Sequence, residues 1–156
     1  MVVDCGGSTV DLTTHKLLGE ELSEITERNR YHCGSSFVDK AFLDFIGERV
    51  GNSTMEEMKR NHYGQLQYIV QDFCRNAKLP FTGEKDFFGL YELDLDIAPV
   101  IRTYVKGENK KVMEESEWLI EIHFGQIKAM FDPVIEKIID WIKKQLNRNQ
   151  IGRAHV

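Results

Sequence analysis

Two adjacent glycines, Gly6 and Gly7, separate the apolar run of residues 1–4 from a stretch that alternates apolar and polar side chains. A glycine pair between two such runs reads as a β-hairpin turn. Side chains alternate across a strand, so Val10 and Leu12 share one face and Thr9, Asp11 and Thr13 share the other. The chain must therefore find a core for the first face and solvent, or a ligand, for the second.

A third strand is expected around residues 22–25, and the polar residues 27–31 read as a loop. Ser35 or Ser36 can cap a helix carrying Phe37, Ala41, Phe42, Phe45, Ile46 and Val50 at helical spacing, with Gly51 to end it. Thr54 with Glu57 predicts a capping box. Leu66, Ile69, Val70, Phe73 and Ala77 mark the buried stripe of a second helix, which Pro80 stops. Tyr91, Leu93, Leu95 and Ile97 alternate with acidic residues, as in a half-exposed strand. Residues 106–117 are charged and read as an exposed loop, and residues 119–122 as a short strand. Residues 124–131 read as a helix. Asp132 and Pro133 then read as the cap and first position of a new one, with Val134, Ile135, Ile138, Ile139, Ile142 and Leu146 as its apolar stripe. These elements define an α/β chain of one domain's length, 156 residues.

The formal net charge of −5 argues against broad nucleic-acid or acidic-membrane binding. No apolar run is long enough to cross a bilayer, and no basic-then-apolar leader precedes the first strand. The three cysteines, Cys5, Cys33 and Cys74, form no CxxC pair. A disulfide framework is not expected, and a reducing, cytoplasmic setting is. The histidines show no metal-ligand spacing and read as surface or satisfied residues. Trp118 and Trp141 read as core or core edge.

The chemistry concentrates at residues 4–11. Glycine can adopt positive φ and lets a phosphate approach the backbone closely. Successive N–H groups in such a turn can form an anion nest. Carboxylates beside a phosphate would repel it unless a cation intervened, so Asp4 and Asp11 point to Mg²⁺, which binds oxygens and keeps several waters. The Thr9 hydroxyl shares the Asp11 face and would reach a terminal phosphate. A plain hairpin turn would use the same spacing.

The stretch DCGGSTVDLTT resembles the second phosphate loop of the heat-shock protein 70 family, within the wider superfamily of sugar kinases and actin. Further anchors follow in the family's order. Cys33-Gly34-Ser35-Ser36-Phe37-Val38-Asp39 is similar to a Gly-Gly-x-x-Phe-Asp segment that opens a helix. Ala77-Lys78 ends a helix as in the adenosine-contacting one, and Phe131-Asp132-Pro133-Val134 resembles Leu-Glu-Pro-Val. The wording is nearest the divergent A12-type and fungal branch. The resemblance covers nearly all of residues 1–150 and implies part of lobe II of a ribonuclease H-like, actin-like ATPase domain.

By position, the resemblance implies that Asp4 and Asp11 hold Mg²⁺ through water. It gives Gly6, Gly7 and Ser8 to the phosphates through their N–H groups, Thr9 to the γ-phosphate, and to Asp11 the orienting of metal-bound or attacking water. It sets Gly34 near the nucleotide and Lys78 on the adenosine side. ATP or ADP with Mg²⁺ is the implied cofactor, and protein clients or co-chaperones are implied partners of a full-length protein. Catalysis would be positioning plus electrostatic stabilisation of phosphoryl transfer to water. The chain departs from the pattern at Ser8, where the family has a third glycine, at Arg75 for a glutamate and at Leu79 for an arginine. These departures favour a pseudo-ATPase or interaction module as the alternative, and a sugar or acetate kinase relative is weaker. The family's other phosphate loop and its catalytic lysine have no counterpart in these residues, so negligible hydrolysis by this chain alone is expected. The tail IGRAHV shares nothing with the helix before it. One of its codings matches a sequencing-adapter oligonucleotide, so residues 151–156 read as translated adapter.

Overall fold

The hairpin at the N-terminus is the seed of a three-stranded antiparallel sheet. In the computed structural model, which describes residues 1–18 and 21–153, β1 (Val2–Cys5), β2 (Val10–Leu18) and β3 (Glu21–Tyr31) lie in that order. The register pairs Asp4 with Asp11 and Cys5 with Val10 across the first turn. It pairs Val10 with Tyr31 and Asp11 with Arg30 across the second. Val10 and Leu12 are fully buried, as their alternation requires. They pack with Cys33, Tyr31 and the helical residues Ile138, Trp141 and Ile142. Tyr31 and Trp141 stack with ring centroids 4.0 Å apart.

The chain divides into two units, one of Met1–Val38 with Phe131–Val156 and one of Asp39–Met130. The second has its own core. It contains α2 (Asn52–Asn61), α3 (Tyr63–Phe73), a π-turn at Cys74–Lys78, β4 (Tyr91–Asp94), α4 (Ile101–Tyr104), α5 (Gly107–Glu115) and β5 (Leu119–Ile122). It also takes most of α1 (Ser36–Val50) and the first turns of α6 (Phe124–Arg153). Strands β4 and β5 pair antiparallel. Phe42 of α1 stacks on Phe73 of α3 at 3.9 Å, and both are fully buried. Leu66, Ile69 and Ala77 are buried as their spacing predicts. The architecture is mixed α/β.

Five local expectations are corrected. Residues 27–31 are strand, because Glu27 to Tyr31 pair with residues on β2. Residues 107–115 are helix, held on one side by buried Met113 while their charged side chains stay in water. Thr54 does not cap α2. It lies inside the helix, nearly fully buried, with Oγ1 2.9 Å from the Val50 carbonyl and 3.2 Å from that of Tyr104. Pro133 does not start a new helix, since α6 runs through it. Strand β4 ends at Asp94, whose carboxylate accepts the Asp96 N–H at 2.8 Å and turns residues 95–97 into a short 3₁₀ segment. Gly51 does end α1, at φ +95°. The reading of residues 151–156 as non-native lies partly outside the described residues; the α6 backbone includes 151–153. Among the described residues no helix is long and apolar enough to cross a membrane.

Candidate functional site

The β1–β2 turn is closed by its own backbone. The Gly6 N–H donates to the Thr9 carbonyl at 2.8 Å. The Gly6 and Gly7 carbonyls accept the N–H groups of Ser35 and Ser36 at 3.1 and 2.7 Å, and the Ser8 carbonyl accepts the Gly34 N–H at 3.2 Å. The first N–H groups of α1, which lack helical partners, are thus satisfied by the loop. Gly34 is the contact point. A Cβ there would lie 2.5 Å from both the Gly6 and Gly7 carbonyl oxygens.

This use of glycine differs from the expected one. Neither Gly6 nor Gly7 takes a left-handed φ. A Cβ on Gly6 would crowd the Thr9 carbonyl at 3.2 Å, whereas Gly7 has open space. With the loop carbonyls turned toward α1, the N–H groups of Gly7, Ser8 and Thr9 have no backbone acceptor among the described residues. Three successive donors at an exposed turn can be offered to an anion without the handedness change of an ordinary nest.

Asp4 and Asp11 are directly opposite on neighbouring strands, so their side chains share a face. That face is the reverse of the one carrying Val10 and Leu12. Like charges so placed repel, and a nearby cation relieves the repulsion. One flanks Asp11 on the side away from Asp4. Arg30 lies opposite Asp11 on β3, and its Nε donates to Asp11 Oδ1 at 2.8 Å. The Asp11 hydrogen bond and charge raise the Arg30 pKa above its ordinary value, and Asp4 adds to this. Arg30 carries no local signal in the sequence, because the polar residues 27–31 read as a loop until their pairing with β2 is seen. Reading them as strand places Arg28 and Arg30 on one face and Asn29 and Tyr31 on the other.

The donor set limits which metal could bind here. No group of three or more His, Cys, Asp or Glu side chains converges among the described residues. An exposed carboxylate, Asp4, beside a half-buried one, Asp11, suits a cation that keeps its water, such as Mg²⁺, and does not suit a dehydrated four-coordinate site. Cys5 is exposed. Cys33 is buried, and desolvation pushes its thiol pKa up.

Lys78 belongs to the second unit. Its Nζ is 2.6 Å from Asp39 Oδ1, and only 11% of its side chain is exposed. The Cys74 thiol donates to the same oxygen at 3.5 Å, and burial, then the Asp39 charge, raise its pKa. Any ligand of Lys78 would compete with Asp39. Arg75 and Leu79 are exposed.

No protein-family model, curated protein or solved structure matches this chain.

Proposed function

We propose that the chain is part of lobe II of an actin-like ATPase of the heat-shock-70-like kind, and that its hairpin turn takes the phosphates of Mg-ATP or Mg-ADP. The observation that carries the reading is one juxtaposition. The unpartnered N–H groups of Gly7, Ser8 and Thr9 adjoin the register pair Asp4–Asp11. Free N–H donors thus lie beside paired carboxylates, which supports a reading in which a metal–phosphate complex binds there.

In this reading Gly7 and Ser8 offer their N–H groups to the phosphates, with Thr9 at the terminal phosphate, whereas the Gly6 N–H, expected to do the same, is spent on the Thr9 carbonyl and closes the turn instead. Asp4 and Asp11 hold the water shell of Mg²⁺, and Asp11 orients the attacking water. The metal supplies charge neutralisation of the transferring group. Gly34 keeps the turn seated on α1. Lys78 is assigned the adenosine side on the resemblance alone. Turnover belongs to a complete two-lobed protein. A phosphate held from one side stays in water, where its charged contacts are weak.

The purified chain is expected to bind a fluorescent ADP analogue only when Mg²⁺ is present, to lose it in Asp4→Asn and Asp11→Asn, and to hydrolyse ATP negligibly. Metal-independent binding, or no binding with folding intact, would overturn the reading. So would turnover abolished by Asp4→Asn, since it would put catalysis within one lobe. The pseudo-ATPase reading draws on Ser8, Arg75 and Leu79, and on the engagement of Lys78 by Asp39. It predicts that a complete protein binds nucleotide without turnover.

A further inference from the structure

The row Asp4, Asp11, Arg30 crosses three adjacent strands on one face of the sheet. Its charges run minus, minus, plus. Arg30 spends a single bond, from Nε, on Asp11, and its own side chain is 60% exposed whereas that of Asp11 is 16% exposed. The less mobile partner is the carboxylate. The guanidinium is the part free to leave, because water can receive it. A pair with one partner in solvent is screened on that side, which lets a competing cation displace it.

Resting on the proposed metal site, we propose that Arg30 is a tethered counter-ion, a positioning residue that occupies the cation place beside Asp11 until a divalent ion displaces it. Asp11 cannot give its full charge to a guanidinium and to a hydrated metal at once. Free Mg²⁺ therefore has to compete with Arg30. Magnesium that arrives on a polyphosphate brings negative oxygens that can receive the released guanidinium. The turn thereby prefers the metal–phosphate complex to the bare ion, and it is not left with two uncompensated carboxylates when empty. This gives a reason for the strand register that places a basic residue there, where a plain edge would tolerate any polar side chain.

The test uses the whole chain and needs no turnover. Mn²⁺ affinity is read by electron paramagnetic resonance in wild type, Arg30→Gln and Arg30→Lys, with circular dichroism to check folding. Arg30→Gln is expected to bind free Mn²⁺ about fivefold or more tightly, the lower end of an ordinary coupling between two sites. Arg30→Lys should fall between, since it keeps the charge without the guanidinium fork. The ¹⁵N–¹H signal of the Arg30 Nε should shift as Mg²⁺ is added, and at lower concentration with MgADP than with MgCl₂. Equal Mn²⁺ affinity in wild type and Arg30→Gln would overturn the role of Arg30 while leaving the metal site standing. An Nε signal that ignores MgADP, or that responds first to MgCl₂, would do the same. Absence of Mn²⁺ binding in wild type and both variants would overturn the metal site and Arg30's role together.

Discussion

Gly34 has no room for a side chain, and the reason is backbone rather than conformation. Its φ is ordinary, but a Cβ would press on the Gly6 and Gly7 carbonyl oxygens at 2.5 Å. Neither oxygen can give way without losing its bond from Ser35 or Ser36. Gly34→Ala is therefore expected to cost about 1–3 kcal/mol in a urea melt and, on the proposed function, to weaken nucleotide-analogue binding. Gly7→Ala meets nothing within 4 Å and should leave stability nearly unchanged. The contrast separates the two glycines that the sequence presents as equivalent. Which residues belong together was legible here from motif order, since residues 4–11 and Gly34 do meet. The physical reason was not legible, because a close approach between residues 6 and 34 leaves no local pattern. Arg30 was hidden for a related cause. Its meaning comes from its partner across the strand, and no neighbour in sequence reveals that.

At the level of elements, strong alternation and helical stripes were readable, and boundaries set by tertiary contacts were not. Strand β2 and the stripe Leu66, Ile69, Phe73 formed as their periodicity dictates, because burial of one face decides both. Helix α5 carries little apolar periodicity, and a single buried methionine anchors it. Thr54 has the sequence of a cap but is claimed by the carbonyls of Val50 and Tyr104. The end of α5 also shows strain that no motif announces. Glu117 and Trp118 take φ of 54° and 62°, while the Trp118 N–H reaches back to the Met113 carbonyl at 2.7 Å. Left-handed backbone costs a non-glycine residue about 1–2 kcal/mol. Glu117 is exposed, so its side chain contributes little packing. Glu117→Gly should stabilise the chain by about 0.5–1 kcal/mol once the extra freedom of glycine in the unfolded chain is subtracted. A differential scanning calorimetry trace with an unchanged or lowered melting temperature would contradict this. Trp118 is a poorer target, because its buried ring lies under the Arg102 guanidinium at 5.0 Å, and Arg102 in turn pairs with Asp96.

For the molecule as a whole, the response to alkali draws on Tyr91 and Cys74 in the second unit and on the buried Cys33 thiol in the first, which is also pushed up by desolvation. The Tyr91 hydroxyl donates to Asp72 Oδ2 at 2.7 Å and ties β4 to α3. Burial first, then the hydrogen bond to Asp72 and its negative charge, push the Tyr91 phenol well above its ordinary pKa of 10.0. The Cys74 thiol is raised above 9.0, by burial first and then by Asp39, with Lys78 opposing. In both cases the fold favours the protonated, neutral form. A folded pKa above the unfolded one means stability that is complete below the unfolded value and lost as pH rises past it. The melting temperature should therefore hold up to about pH 9 and fall beyond it, more steeply once pH exceeds the unfolded tyrosine value. Tyr91→Phe should lower stability at neutral pH by about 1.5–3 kcal/mol, the worth of a hydrogen bond to a charged acceptor. It should also remove the part of the alkaline decline that begins near pH 10. Cys74→Ser should leave that part in place and reduce the portion nearer pH 9, to which Cys33 also contributes. A Tyr91→Phe profile parallel to wild type across the alkaline range would show that Tyr91 does not couple protonation to folding, and that the tie between β4 and α3 rests on apolar packing alone.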